Sequence, residues 1–143
     1  VFMGEFEHSI DNKGRLIIPA KFRNQVGSTC VVTRGMDHSL SVYTMEEWDK
    51  VKQRLAQLPS TKGNARKFVR FIFSAATECE FDKQGRINIP QNLLTHAEID
   101  KKCAIIGVSS HFEIWDADNW STYQADAAED FDDIAEEIGD LNF

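Results

Sequence analysis

A nine-residue motif occurs twice in this chain, and no other feature restricts the fold as much. Asp11-Asn12-Lys13-Gly14-Arg15-Leu16-Ile17-Ile18-Pro19 and Asp82-Lys83-Gln84-Gly85-Arg86-Ile87-Asn88-Ile89-Pro90 both spell D-x-x-G-R-[LI]-x-I-P, 71 residues apart. The similarity continues downstream at an offset of 72: Gly35 matches Gly107, Leu40-Ser41-Val42-Tyr43 matches Phe112-Glu113-Ile114-Trp115, and Trp48 matches Trp120. Self-similarity at a fixed period means that one supersecondary unit is used twice and that neither copy buries its apolar face alone. A chain of 143 residues fits two half-sized units that share one core.

Each unit has a readable local plan. Phe6, His8 and Ile10 alternate with Glu5, Glu7 and Ser9, the period of a half-buried strand. Asp11 opens a turn, because its carboxylate accepts backbone N–H bonds, and Gly14 closes it by taking a positive φ. Leu16–Ile18 is a return strand, so the pair reads as a hairpin. Pro19 ends that strand and suits the first turn of a short helix over Ala20–Val26. Cys30–Thr33 and Leu40–Tyr43 read as two further strands joined through Arg34–Ser39. The second unit repeats this plan: Thr77, Cys79 and Phe81 lead into the turn, Ile87–Ile89 return, Pro90–Ala97 is the short helix, and Cys103–Val108 and Phe112–Trp115 close the unit. Helical spacing of Trp48, Val51, Leu55 and Leu58 predicts a helix over Glu46–Leu58, with Thr44 and Glu47 placed as a capping box. Asn64–Phe73 puts Ala65, Phe68, Val69 and Ile72 on one face. Trp120, Tyr123, Ala127, Phe131, Ile134 and Ile138 predict an amphipathic C-terminal helix with an acidic outer face. Phe68, Phe71, Phe73, Trp48 and Trp120 read as core. The organisation expected is a first repeat with its helix over 1–60, a linking helix over 61–76, a second repeat over 77–122, and an acidic helix or tail over 123–143.

Charge is divided unevenly. The net charge of −7 argues at first against nucleic acid, yet residues 103–143 hold 11 acids and no Lys or Arg, whereas residues 1–102 hold all 16 bases and 12 acids. A mildly basic body therefore carries a strongly acidic end, and nucleic-acid binding follows local patches rather than the mean. No apolar run reaches the roughly 20 residues of a membrane span, and Glu5, Glu7 and His8 interrupt any secretory h-region, so a cytoplasmic protein is expected. Cys30, Cys79 and Cys103 are odd in number and dispersed, which reads as small buried hydrophobes rather than a disulfide or zinc framework. No metal or cofactor is expected.

The residues that could carry chemistry lie at the repeated turns. Arg15 and Arg86 each follow a turn glycine, which leaves the guanidinium free to project. Arginine binds guanine O6 and N7 with two parallel hydrogen bonds, and a two-stranded ribbon fits the major groove. Lys13, Lys21, Arg23 and Lys83 lie near the same turns and are candidates for phosphate contacts, which position without specifying sequence. Asp11, Gly14, Asp82 and Gly85 are candidate turn-supporting residues. A plainer reading stands beside this one: Asp-to-Arg bridges inside each turn would account for Arg15 and Arg86 with no DNA involved. The bases of Lys62–Arg70 read as a solvated helix face.

The D-x-x-G-R-[LI]-x-I-P element resembles the swapped-hairpin modules of AbrB-type regulators, and two copies about 70 residues apart in one chain resemble the MraZ family. The opening Phe2–Asp11 and the stretch Arg70-Phe71-Ile72-Phe73-Ser74-Ala75-Ala76 look like that family too. The resemblance covers residues 2–120 or so. It implies an α+β fold in which two hairpins interlock as an intramolecular pseudo-dimer, giving a β-rich, barrel-like core with flanking helices. It also implies a ring-shaped homo-oligomer that binds short direct repeats in double-stranded DNA upstream of its own division and cell-wall operon and represses it, on the nucleoid. The family's D-x-x-x-R signature maps here onto Asp11 and Arg15 and onto Asp82 and Arg86. The sequence departs from the family pattern in places: Arg23 has Leu94 as its counterpart, which implies less phosphate contact from the second unit, and the acidic stretch after Tyr123 carries no family motif.

Two other classes are weighed against it. Swapped-hairpin folds resemble double-psi barrels, some of them enzymes, but no P-loop, G-x-G-x-x-G, nucleophile triad or ligand cluster is present, and Glu78 and Glu80 read as one exposed strand face. The alternative is an oligomeric interaction scaffold acting through the acidic C-terminal tail.

Overall fold

The computed structural model describes residues 1–140. The last three residues of the expected acidic tail, 141–143, lie outside the described residues. The elements run β1 (Glu5–Ser9), β2 (Arg15–Ile17), α1 (Ala20–Val26), β3 (Thr29–Arg34), β4 (Leu40–Thr44), α2 (Met45–Ala56) and α3 (Gly63–Ala75), followed by β5 (Thr77–Glu80), β6 (Arg86–Asn88), α4 (Gln91–His96), β7 (Lys102–Gly107), β8 (Phe112–Asp116), α5 (Ala117–Glu129) and α6 (Phe131–Ile138).

The two units are interleaved. One antiparallel sheet has the order β1-β7-β8-β4-β3-β5, and β2 pairs with β6 in a separate two-stranded ribbon. Exchanging the two repeats maps this order onto itself, so a pseudo-twofold axis passes between β4 and β8. Each repeat lends its first strand to the other: Phe6 lies opposite Ile105, and Cys79 opposite Cys30. The strands on either side of each turn are thus not a locally paired hairpin. Beyond the tip, where Asp11 N–H donates to Arg15 O and Asp82 N–H to Arg86 O, they diverge into different sheets. The reason is the core between them. Leu16, Ile18, Ile87 and Ile89 point inward from the ribbon onto Cys30, Val32, Cys103, Ile105, Phe112 and Ile114 of the large sheet, all of them 5 % exposed or less. The swapped pseudo-dimer is therefore present, but the expected barrel is not closed: among the described residues the large sheet is open at β1 and β5, and the ribbon caps one face.

Helices fit the same symmetry. Thr44 Oγ1 accepts from Glu47 N–H at 3.0 Å at the start of α2, and Asp116 Oδ2 accepts from Asn119 N–H at 3.1 Å at the start of α5. Pro19 and Pro90 stand in matching places before α1 and α4. The helix expected to run through the acidic end is divided at Asp130 into α5 and α6. Its apolar face is divided as well: Trp120 packs against Ala104, Ile106 and Trp115, whereas Phe131 and Ile138 meet no core among the described residues and are 68 % and 65 % exposed. Of the aromatics read as core, Trp48 is buried and Trp120 half-buried, but Phe68, Phe71 and Phe73 are exposed on α3, whose half-buried side is Ala65, Val69 and Ile72.

The register of the strands corrects one alignment. Thr33 pairs with Ser41 and Ile106 with Glu113, so in β7 the structural offset is 73 and Gly107 occupies the place of Arg34 rather than of Gly35. Gly107 is required for a different reason. A Cβ there would run into the backbone of Phe2 and Met3, which lies across it and is tied by Gly107 N–H to Gly4 O and by paired bonds between Phe2 and Ser109.

All three cysteines are free and buried, and burial pushes their thiols up, to about 12 for Cys30 and Cys103 and about 11 for Cys79. Because the thiolate is the reactive form, the native protein should react negligibly with an aromatic disulfide reagent at neutral pH. After denaturation all three should titrate. Rapid reaction of even one thiol in the native state would contradict the packing described.

Candidate nucleic-acid interface

The two repeated turns share one geometry. Asp11 Oδ1 accepts the amides of Lys13 and Arg15, each at 2.9 Å, and its Oδ2 accepts Arg15 Nε at 2.7 Å. Asp82 does the same for Gln84, Arg86 and Arg86 Nε at 2.9, 2.9 and 2.7 Å. Gly14 and Gly85 close the turns with φ of 78° and 76°. The fixed spacing of the motif follows: a carboxylate at position one reaches the amides at three and five and the side chain at five, and only a residue tolerant of positive φ fits between.

Pairing of β2 with β6 brings the turns together. Arg15 lies opposite Asn88, Leu16 opposite Ile87 and Ile17 opposite Arg86. Side chains alternate along a strand, so Leu16 and Ile87 face the core while Arg15, Ile17, Arg86 and Asn88 share the outer face. The arginines occupy diagonal positions on that face, about 7 Å apart along the ribbon at the rise of a strand. Arg86 Nη1 reaches to 3.8 Å from Asp11 Oδ2, so the first turn's carboxylate faces both arginines. Each Nε is thus held by the carboxylate of its own turn, and Arg86 also faces the other turn through Nη1. Lys13 and Lys83 are exposed at the two tips.

The remaining basic candidates lie apart from this pair. Lys21 is exposed on α1. Arg23 is half-buried, and its Nη1 donates to Ile18 O. Its guanidinium covers the second turn so closely that a Cβ on Gly85 would stand 2.6 Å from Arg23 Cζ. Leu94 takes the corresponding place beside the first turn, and there the surface opens into a groove of about 610 Å³ between Asp11–Gly14 and α4. Arg23 therefore closes one turn and Leu94 leaves the other open. The sequence exposed that asymmetry but not that Arg23 is engaged by its own repeat unit and by the opposite turn.

Both turn carboxyls sit below the usual carboxylate range. For Asp11 the main cause is the bond from the Arg15 amide; slight burial opposes it, and the Arg15 side chain and Lys13 amide reinforce it. Asp82 is lowered in the same way by the Arg86 amide first. A carboxyl whose folded pKa is depressed contributes stability that is complete above its unfolded value, near 3.9, and is lost as pH falls through the folded value. Asn in place of Asp keeps an acceptor for the amides but not the charge. Asp11→Asn and Asp82→Asn should each lower Tm at pH 7, and the gap to the unaltered protein should narrow steadily below about pH 4. A gap independent of pH would show that charge plays no part in the turns.

Comparison with known proteins places this geometry. The family model described as "MraZ protein, putative antitoxin-like" matches residues 1–71 and again 72–142, together nearly the whole chain. The chain belongs to the MraZ family. Among curated relatives, one from Limosilactobacillus fermentum is 59 % identical over 143 residues, covering all of both chains. One from Ligilactobacillus salivarius is 59 % identical over 142 residues, and one from Halothermothrix orenii 53 % identical over 141, each covering 99 % of both chains. All three carry the name Transcriptional regulator MraZ. The twofold match of the MraZ model follows the pseudo-twofold of the fold: the first match holds β1 to α2 with most of α3, and the second runs from the end of α3 through β5 to α6.

Proposed function

We propose that this MraZ-family chain is a transcription regulator that binds double-stranded DNA in a sequence-specific way through the outer face of the β2–β6 ribbon. The observation that carries the proposal is the diagonal pair Arg15 and Arg86, each held at Nε by the carboxylate four residues before it. A two-stranded ribbon is one of the elements that the major groove admits, and a guanidinium matches guanine O6 and N7 with two parallel hydrogen bonds. Lys13, Lys83 and Lys21 supply phosphate contacts around the pair, and Arg23 contributes chiefly by bracing the second turn.

One ribbon makes few contacts, so the protein acts as a ring-shaped homo-oligomer whose ribbons meet successive direct repeats on one side of the duplex, where linked weak contacts add through effective concentration. The operator lies upstream of its own division and cell-wall operon, in the cytoplasm on the nucleoid, and binding represses it. Fluorescence anisotropy against that upstream duplex and a scrambled one, over a salt series, tests the reading. Preference for the operon duplex with affinity falling steeply as salt rises is expected. Equal, weak binding to both duplexes removes the DNA role.

A further inference from the structure

We propose that α6 of one copy docks into the surface groove of α3 on a second copy, a head-to-tail contact that links chains into the assembly. Two faces of opposite charge, each with exposed apolar side chains among the described residues, point to it. On α6, Phe131, Ile134 and Ile138 form a stripe at i, i+3 and i+7, the spacing by which an amphipathic helix anchors in a groove. They are 68 %, 42 % and 65 % exposed, and none belongs to the hydrophobic core. Around them stand Asp130, Asp132, Asp133, Glu136 and Glu137, with no Lys or Arg anywhere in 103–143. On α3, Phe68 and Phe71 are 39 % and 50 % exposed and line a shallow, mainly apolar groove of about 670 Å³ together with Asn64, Lys67, Arg70 and Ser74. Residues 62–76 hold Lys62, Arg66, Lys67 and Arg70 and no acid, and none of the four takes part in an ion pair among the described residues.

The pseudo-twofold explains why α6 is the free element. α3 is fastened to β3 by Thr33 Oγ1, which donates to Ile72 O at 2.7 Å, and by Arg34, whose Nη1 donates to Phe71 O at 2.7 Å while its Cζ sits 3.9 Å from the Phe71 ring centroid. In β7 the residues in those places are Ile106 and Gly107. Neither offers a side-chain donor, and the Phe2–Met3 backbone lies over Gly107. Among the described residues α6 has no equivalent seat in its own unit, whereas the α3 groove is held in place by Arg34. Each copy has one such helix and one such groove, so the contact is heterologous, and repeated it produces a closed ring or a filament. This deepens the self-association proposed above and rests on it, since assembly is what the test reads.

The test uses the full chain and light scattering coupled to size exclusion, with circular dichroism and thermal melting as folding controls. Lys67→Glu with Arg70→Glu, and separately Asp133→Lys with Glu137→Lys, should each reduce the assembly to smaller species that keep the native circular dichroism spectrum and a cooperative melt, with Tm falling only by the stabilisation that assembly supplied. All four changes in one chain should restore the original mass. Phe131→Ser, at a residue outside the core, should also dissociate it. If the assembled mass persists through every change, self-association stands but uses another surface, and the docking is wrong. If the unaltered chain is monomeric, both proposals fail. A Tm that falls further on charge reversal in α6 than in α3 overturns the docking in favour of α6 packing on its own chain. Failure of the four-change chain to reassemble likewise overturns the pairing.

Discussion

Replacing Arg15 and Arg86 together with alanine is expected to abolish preference for the operon duplex while leaving residual, salt-sensitive binding to any DNA. A bidentate arginine–guanine contact is worth about 1–3 kcal/mol of discrimination, so each single change should cost roughly 5- to 150-fold in specific affinity. The double change should bring specific binding down to the non-specific level. The slope of log affinity against log salt should hardly change, because the lysines proposed to contact phosphate remain. Lys13→Ala and Lys83→Ala should do the reverse, weakening both duplexes alike and lowering the slope by about one each. Arg15→Lys separates charge from shape: it keeps the cation but loses the planar fork, so it should resemble alanine on the operon duplex. The arginines also hold their turns through Asp11 and Asp82, so melting curves must accompany the titrations. If specificity survives the double change with folding intact, the arginines are turn braces only and the ribbon is not the reading surface.

How much of this was legible in the sequence depends on the range of the interactions concerned. The turns were readable because Asp, Gly and Arg at fixed spacing satisfy one another within five residues, and the helix starts at Thr44 and Pro19 follow equally local rules. Strand exchange was not: Phe6, His8 and Ile10 show the alternation of a half-buried strand whether their partner is β2 or β7, and only the resemblance supplied the swap. The diagonal placement of Arg15 and Arg86 depends on the β2–β6 register, which joins residues about 70 apart and leaves no trace in either motif alone. Apolar spacing likewise marked a face on α3 and on α6 without saying what covers it, so the exposure of Phe68, Phe71 and Phe131 could not be read from periodicity. The one-residue shift in β7 leaves no mark in the sequence, because a glycine at 35 and another at 107 look equivalent until their neighbours are paired.

Phe22→Ala should cost about 3–5 kcal/mol of folding stability, the range for deleting a buried phenylalanine ring. Phe22 is fully buried on α1, edge-on to Phe2 and Phe6 at ring-centroid distances of 5.4 and 5.2 Å and tilted against Phe112 at 5.0 Å. Leu93 is its counterpart in the second unit, and Leu40 that of Phe112, so among the described residues the aromatic quartet exists at one end of the molecule only. Its position is what makes it consequential. Phe2 and Phe6 bring the first strand of repeat one across onto β7 of repeat two, and Phe22 is the ring on which both rest. Removing it leaves a cavity lined by three rigid rings that cannot collapse into it. Against a total stability of about 5–15 kcal/mol for a domain, Tm should fall by roughly 6–20 °C. Because the strands are exchanged, neither repeat has a sheet of its own to retreat to, so urea unfolding should remain a single transition with a lower midpoint and unchanged slope. Phe22→Leu, which keeps most of the volume, should lose far less. Two separate unfolding transitions in the alanine variant would mean that the repeats fold independently and that the exchange of β1 and β5 contributes little to holding them together.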